Sequence, residues 1–497
     1  MTNTTEDWIA RARNVATHLR AIIDGADSDA ASGETFAVVN PATGIERARV
    51  ASLGAPDVDR AVRSARRVFE SGAWSEKAPY ERKLILQRWA SLLENAAEEL
   101  ALLMTLDMGK PIADAIGEVA ISVKHLRWFA EAIDKVYGEV APLNPRAAFG
   151  YVTREPMGVV AAIVPWNYPL LMPMWKLAPA LASGNSVLLK PAEQSPAVSL
   201  RAAQLALEAG LPKGVFNVVT GVGEVAGRAL AEHRDVDKVA FTGSAEVGRM
   251  MMRYSADSNL KGVQLELGGK SAQIVLSDAP NLKAVADWAS EGIYANAGQV
   301  CNAGSRLLVQ RSIRDELIEY LKTASRRWMP NDPLNPTTIM GPVVSSSQLN
   351  RVLGYIEAGV SEGAKVAFGG SQALKQTGGF FVEPTIFTGV GNQMRIAREE
   401  IFGPVLAIVD FDSIEEAIAI ANASEYGLAA GVWTSDVNTA LTVTRKLRAG
   451  SVYVNCWDMG DNSMPVGGYK LSGFGRDKSL HAFDNYTRHK STYVAIS

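Results

Sequence analysis

The sequence predicts an α/β protein of two or more domains, built on parallel sheets with helices on both faces. Three observations predict it. Beyond Gly158, continuous apolar runs alternate with helical ones in the order strand, helix, strand. That alternation produces a parallel sheet able to bind a dinucleotide at the carboxyl ends of its strands. A second unit of the same kind starts after Glu266. The 497 residues also exceed what a single hydrophobic core organises.

The elements follow in order. Residues 1–55 read as an irregular arm holding one hairpin, 35–39 with 46–50, across the turn residues 40–44. From Asp57, the residues Val58, Val62, Ala65 and Phe69 recur at helical spacing, and 80–106 reads as one long helix with Leu84, Trp89, Leu92 and Leu93 on one face. Pro142, Pro145 and Pro156 break the helical pattern across 137–157 and leave an extended stretch at 148–153. The first strand–helix unit is then 159–164, 170–181, 186–189, 197–209 and 215–219, with a short strand at 239–240. After Glu266 come a strand at 273–276, a helix at 282–297 and a strand at 306–310. Ser413 and Glu416 form a capping box that opens a helix at 414–423.

Composition narrows the function. The chain is 47% hydrophobic and 21% charged with a net charge of −3, and no block of Lys and Arg stands out. Nothing here suits nucleic acid or an anionic membrane, so the ligand is expected to be small. Two cysteines, Cys301 and Cys456, and no Cys/His pairs at ligand spacing argue against a disulfide framework or a bound metal. The first 23 residues lack an apolar core and no run reaches the length of a membrane span, so a cytoplasmic location is expected.

Cys301 is the residue with the most chemistry. A thiol is the best side-chain nucleophile near neutrality, and here it lies in Gly298-Gln299-Val300-Cys301-Asn302-Ala303-Gly304, where small neighbours leave room for a substrate carbon and for backbone N–H donors. Glu266, followed by Leu267-Gly268-Gly269-Lys270, is equally unguarded and suits a general base. Taken alone, a single cysteine is more often a small buried hydrophobe and a single glutamate a solvated charge. Asn167 ends the first strand of the unit, where an amide can donate to a developing oxyanion. The run Gly221-Val222-Gly223-Glu224-Val225-Ala226-Gly227 is only a weak variant of the dinucleotide fingerprint. Phe241-Thr242-Gly243-Ser244 offers a hydroxyl and free N–H groups to a pyrophosphate at a helix N-terminus.

The Gly-Gln-Val-Cys and Glu-Leu-Gly-Gly-Lys stretches resemble the active-site signatures of the NAD(P)-dependent aldehyde dehydrogenase superfamily. Pro165-Trp166-Asn167, the 241–244 turn, Glu400-Ile401-Phe402-Gly403-Pro404 and Pro465-Val466-Gly467-Gly468 fall in the same order, so the resemblance spans nearly the whole chain. It implies two Rossmann-like parallel-sheet domains and a β arm for oligomerisation. These are a cofactor domain at 1–136 and 157–265, a catalytic domain at 266–475, and an arm at 137–156 and 483–497, in which 491–496 pairs with the 148–153 stretch. A homodimer or homotetramer follows from it.

The resemblance also implies roles. Cys301 attacks an aldehyde, Asn167 and the Cys301 N–H stabilise the oxyanion, and Glu266 activates the water that releases the acid from a thioester. The cofactor lies against Ile163, Val164, Pro165 and Trp166 after the first strand, and Lys190, Ala192 and Glu193 after the second. Gly223, Gly227, Phe241, Thr242, Gly243, Ser244 and Val247 come next, with Leu267, Glu400 and Phe402 at the nicotinamide end. Glu193 accepts from ribose hydroxyls and repels a 2′-phosphate, which favours NAD over NADP.

For the substrate, the implied tunnel residues are Tyr168, Leu171, Trp175, Val300 and Asn302 on one side and Trp457, Asp458, Met459 and Val466 on the other. Trp175 and Trp457 are expected as aromatic walls. Asp458, Asp461 and Glu118 are expected as negative charge near the mouth, attracting a cationic ω-amino end. The matched positions hold no basic residue. The stretches 128–137 and 475–482 resemble bacterial aldehyde dehydrogenases of polyamine breakdown, which act on γ-glutamyl-aminobutyraldehyde and guanidinobutyraldehyde. The chain departs from that group at Val466, where an aromatic is usual, and at Leu267, where alanine is frequent. The expected activity is NAD-dependent oxidation of an ω-amino or related aliphatic aldehyde. The alternatives are a broad-specificity or aromatic aldehyde dehydrogenase, an esterase using the same pair, or a non-catalytic structural relative.

Overall fold

A computed structural model describes residues 3–144 and 148–496. Pro145, one of the expected helix breakers, lies outside the described residues, as does the end of the arm at Ser497. Two large sheets organise the rest. The first contains five parallel strands: β1 (Val159–Ile163), β2 (Ser186–Lys190), β3 (Phe216–Val218), β4 (Lys238–Gly243) and β5 (Gly262–Leu267). Their spatial order is β5-β4-β1-β2-β3, extended at one edge by the antiparallel strand Gly473–Phe474 and at the other by Ala21–Ile23 and Ala26–Ser28. β1 and β2 are buried along their whole length, as strands covered on both faces must be, which is why they read as unbroken apolar runs.

The second sheet is built on β6 (Ala272–Val275) and β7 (Arg306–Gln310). Val405–Phe411, Thr385–Thr388 and Lys365–Phe368 lie beyond β7, and Ala429–Trp433 and Ser451–Val454 beyond β6. Only the Lys365–Phe368 edge runs antiparallel. A smaller sheet pairs Thr487–Ala495 with Ala148–Pro156 over nine register positions and adds Glu139–Ala141 on the other side. The expected pairing of the 491–496 stretch with 148–153 is therefore present within one chain.

Several elements differ from the sequence reading. The arm at 1–55 does hold the hairpin, Thr35–Asn40 with Ile45–Ala51, but it also contains helix Thr5–Ala12 with a full capping box at Thr4 and Asp7. The expected long helix divides at Ala96 into Pro79–Asn95 and Ala97–Met108. Its inner face is Ile85, Leu86, Trp89, Ala90 and Leu93, while Leu84 is turned outward, because a helical stripe admits only one of two adjacent registers. The Trp89 indole fixes that register by donating to the Ala202 carbonyl at 2.9 Å. The expected strand at 239–240 is six residues long. The glycine run becomes a single π turn, Gly223–Gly227, leading into helix Arg228–Glu232. Finally, the helix at 282–297 stops at Tyr294, since Asn296 and Ala297 adopt left-handed φ of 51° and 55°.

Candidate active site

Chain order reverses between β1 and β4, which lie side by side. In an open parallel sheet this is where a crevice opens beyond the carboxyl ends of the strands. β1 runs into Val164-Pro165-Trp166-Asn167, and β4 into Ser244, whose hydroxyl accepts from the Val247 N–H and caps helix Ala245–Ala256. The free N–H groups of that first turn face the crevice end, and the buried Thr242 hydroxyl beside them has no partner. At the end of β2, Lys190 contacts Glu193 at 2.7 Å, and the same carboxylate accepts from the Gly223 N–H at 2.6 Å. These residues fit a dinucleotide: an unpaired hydroxyl and a helix N-terminus for phosphate, and an anchored carboxylate for ribose. Gly227 contributes open space, since nothing lies within 4 Å of where its Cβ would stand.

The turn that ends the helix at Tyr294 carries Cys301 back to this crevice. Gly298 has a φ of +72°, and a Cβ there would stand 2.2 Å from the Gly403 backbone, so only glycine fits. Gln299 is fully buried; its Nε2 donates to the Asn296 carbonyl at 3.0 Å and its Oε1 accepts from the Val344 N–H at 2.9 Å. Two further hydrogen bonds tie this turn to the loop after β1. Asn296 Nδ2 donates to the Asn167 carbonyl at 2.9 Å, and Asn167 Nδ2 donates to the Gln299 carbonyl at 2.8 Å. Asn167 and Cys301 are thus held by one network, and the amide of Asn167 keeps a second hydrogen to give. Burial, followed by the carboxylates of Glu400, Glu266 and Asp458, pushes the Cys301 thiol up to about 12.

Glu266 lies near the carboxyl end of β5, opposite Thr242 of β4 in register. Its Oε1 is buried without a hydrogen-bond partner, and burial raises its pKa well above the ordinary carboxylate value, with Asp477 adding to the rise and Lys176 opposing it. Lys176 and Asp477 form a fully buried ion pair, and Asp477 also accepts from Gln264 at 2.9 Å. Glu400 accepts from the Gly269 N–H at 3.1 Å and is pushed up to about 7 by burial. Phe402, at a φ of +61°, meets Trp166 edge to face at 5.4 Å. Ile163, Val164, Ala192 and Leu267 are buried behind these groups and shape the wall rather than offering polar contacts.

On the substrate side, Tyr168 lies under the Lys110 ammonium, 3.7 Å from the ring centre. Glu118 is not at the mouth. It is buried, paired with Lys110, and accepts from the N–H groups of Leu170 and Leu171 at 2.9 and 3.0 Å. The first turn of helix Leu171–Ala182 needs acceptors for these groups and favours a negative one, which is what draws Glu118 inward. Asp461 is at the surface but turned to its own loop, accepting from Ser463, with Lys124 at 3.9 Å. Asp458 accepts from Asn302 at 2.7 Å and lies 3.4 Å from the Tyr453 hydroxyl.

Trp175 is half-buried beside this group, whereas Trp457 faces the interior, where a Cβ on Gly292 would stand 2.6 Å from its ring. Val300 is half-buried, Met459 is exposed and Val466 pairs with Asp477 through two backbone hydrogen bonds. A basic residue absent from the sequence reading is present: Lys478, whose ammonium lies 5.7 Å from the centre of the Trp175 ring. The sequence reading assigned no part in the site to Lys176, Asp477 or Asn296, and it read Gln299 only as part of the cysteine signature. Lys176, a lone charge in the apolar helix Leu171–Ala182, carried the one local signal, since a lysine inside such a run needs a buried partner.

A half-buried thiol and an unpaired carboxyl at the crevice of a dinucleotide-type sheet define an oxidoreductase of the aldehyde dehydrogenase class. Residues 28–492 match the aldehyde dehydrogenase family, and the chain belongs to it. It is 48% identical over 490 residues, 98% of each chain, to the NADP/NAD-dependent aldehyde dehydrogenase PuuC of Escherichia coli. Among solved structures it resembles an indole-3-acetaldehyde dehydrogenase with NAD+ bound, at 56% identity and a TM-score of 0.98 over 99% of this chain and 100% of that one. It also resembles the γ-glutamyl-γ-aminobutyraldehyde dehydrogenase of Burkholderia cenocepacia, at 54% identity and a TM-score of 0.97 over all of both chains.

Proposed function

We propose that this chain oxidises an ω-amino or related aliphatic aldehyde to its carboxylic acid with NAD, through a covalent intermediate on Cys301. The observation that carries the reading is the hydrogen-bonded network joining Asn167 to the Cys301 turn beside the unpaired Glu266 carboxyl. The Cys301 thiol gives its proton to solvent as its sulfur adds to the aldehyde carbon, and the free hydrogen of the Asn167 amide and the Cys301 N–H receive the oxyanion. NAD, whose nicotinamide end Glu400 and Phe402 would hold, would supply the hydride acceptor when bound. Glu266 then takes a proton from the water that hydrolyses the thioester, a role that its unpaired oxygen supports.

Glu400 and Phe402 hold the nicotinamide end, and Glu193, held by the Gly223 N–H, favours a free ribose hydroxyl over a phosphate. The cofactor and catalytic domains are taken as 1–136 with 157–265 and as 266–475. The arm at 137–156 and 483–497 joins copies into a dimer or tetramer in the cytoplasm. The relative with γ-glutamyl-γ-aminobutyraldehyde in its name supports an aminoaldehyde-derived substrate, and the half-buried Trp175 together with the indole-acetaldehyde relative keeps an aromatic aldehyde as the second reading.

The test is NADH formation from a panel of aldehydes by the purified enzyme, with Cys301→Ala and Glu266→Gln beside it. Cys301→Ala should show no turnover. Glu266→Gln should accumulate an acylated enzyme visible by intact-protein mass spectrometry, with turnover reduced about a hundredfold or more. Ester hydrolysis without any NADH formation would select the hydrolase instead.

A further inference from the structure

The substrate side ends on a loop, residues 455–464, that carries Trp457, Asp458 and Met459 and contains no helix or strand. Asn455 and Asp458 both adopt left-handed φ, 53° and 52°, so local preference does not give the loop its shape. Two hydrogen-bonded anchors tie it to other elements. Asp458 accepts from Asn302, the neighbour of Cys301, at 2.7 Å. At the outer end, the Asn462 carbonyl accepts from the Ser479 N–H at 2.7 Å, and its side-chain Oδ1 meets His125 Nδ1 at 3.1 Å. Between the two anchors only the exposed Lys124 stands near Asp461.

His125 comes from helix Ile112–Ala132 and is fully buried. An amide oxygen can only accept, so Nδ1 carries the hydrogen. Burial, opposed by the Asn462 hydrogen bond and aided by the charge of Lys478, pushes the imidazole down to about 4, so the ring is neutral and Nε2 is bare. That second nitrogen is buried without a partner. A phenylalanine would fill the same space with no orphan nitrogen, and the cost of the orphan is offset here by the one bond the ring makes among the described residues, the bond to Asn462. The same ring packs 6.5 Å from the Trp175 ring and edge-on to Phe129 at 4.9 Å. Trp175 and the loop, the two implied walls for the aldehyde, therefore both rest on one imidazole.

We propose that His125 is a positioning residue for the aldehyde: through its Nδ1–H on Asn462 it fixes the loop carrying Asp458 and Met459 relative to Trp175, and so sets how well long-chain aldehydes are held, without touching them. This rests on the aldehyde-oxidising reading above and adds to it a specificity determinant behind the wall. A short aldehyde makes its contacts near the sulfur and is indifferent to the outer loop. A long one gains from the wall only if the wall is already in place, because a loose loop must be ordered at the moment of binding.

The experiment measures kcat and KM with NAD for propanal, whose chain stays near the sulfur, and octanal, whose chain must lie along the wall. His125→Phe should raise KM for octanal about tenfold, while kcat and KM for propanal and KM for NAD stay within about twofold. His125→Asn, whose amide N–H stands where the Nδ1–H stood, should recover most of the octanal KM. Asn462→Leu should reproduce the split seen in His125→Phe, and it reads the same bond should His125→Phe fail to fold. The His125→Phe/Asn462→Leu double variant should lose no more than either single variant, because the two residues act as a unit. Equal losses for both aldehydes, no change in either, or no recovery in His125→Asn would overturn the role of His125 while the aldehyde oxidation stands. If the wild-type enzyme reduces NAD with neither aldehyde, the broader reading falls and takes this one with it.

Discussion

The N–H of Gly269 donates to the Glu400 carboxylate at 3.1 Å, and a Cβ on Gly268 would stand 2.1 Å from that same carboxylate. The glycine pair is therefore a seat for Glu400 from the opposite sheet, and its smallness matters more than its flexibility. Gly268→Ala should displace Glu400 and raise KM for NAD by about tenfold, or roughly 1.4 kcal/mol. Steady-state kinetics at saturating aldehyde check this, and an unchanged KM for NAD would remove Glu400 from the cofactor site.

The half-buried thiol of Cys301 gives a pH prediction. With its pKa pushed from 9.0 up to about 12, the ligand-free protein holds the neutral thiol across the whole neutral range. Alkylation by iodoacetamide should accelerate about tenfold per pH unit, because each unit raises the thiolate fraction by that factor. The rise should continue past pH 9.0 without a plateau. The same raised value makes a stability contribution that is present below 9.0 and lost as pH climbs toward about 12, where the folded thiol also ionises. A plateau in the alkylation rate near neutrality would show a thiol that is already activated in the free chain.

Cofactor choice is expected to follow Glu193. Its carboxylate is anchored by Lys190 and Gly223, and removing it takes away the charge that opposes a 2′-phosphate while leaving the lysine. Glu193→Ser should raise the NADP/NAD ratio of kcat/KM by about tenfold or more. Parallel assays with both cofactors decide it.

The Lys176–Asp477 pair lies in the core with no exposure of either side chain. Lys176→Met alone leaves a buried carboxylate and should cost about 3–5 kcal/mol. The Lys176→Met/Asp477→Leu double variant removes both charges and should recover much of that loss, as read by denaturant unfolding. With Asp477→Leu measured beside them, a double-variant loss equal to the sum of the two single losses would mean the two charges are not coupled.

The strands were legible because buried parallel strands are written as unbroken apolar runs, and both signatures were legible because their small residues are contiguous. The crevice between β1 and β4 follows from strand order, which no local pattern encodes. Glu118 was misplaced because its acidity suggested solvent, whereas two orphan N–H groups of a helix start draw it into the core. The approach of Lys478 to Trp175 was not legible because the two residues lie on elements far apart in the sequence. Leu84 and Ala96 show the ordinary limit of periodicity, where adjacent registers differ by one residue and tertiary contacts decide.

The strand Ala148–Pro156 finds its long partner in Thr487–Ala495, and one contact between them joins residues 335 positions apart. On the ribosome, that edge is made early and stays uncovered while most of the polypeptide is still being translated. The nascent chain therefore carries an adhesive β-edge throughout its synthesis, and shielding it until the distant strand emerges is a task for chaperones or for slow, dilute expression.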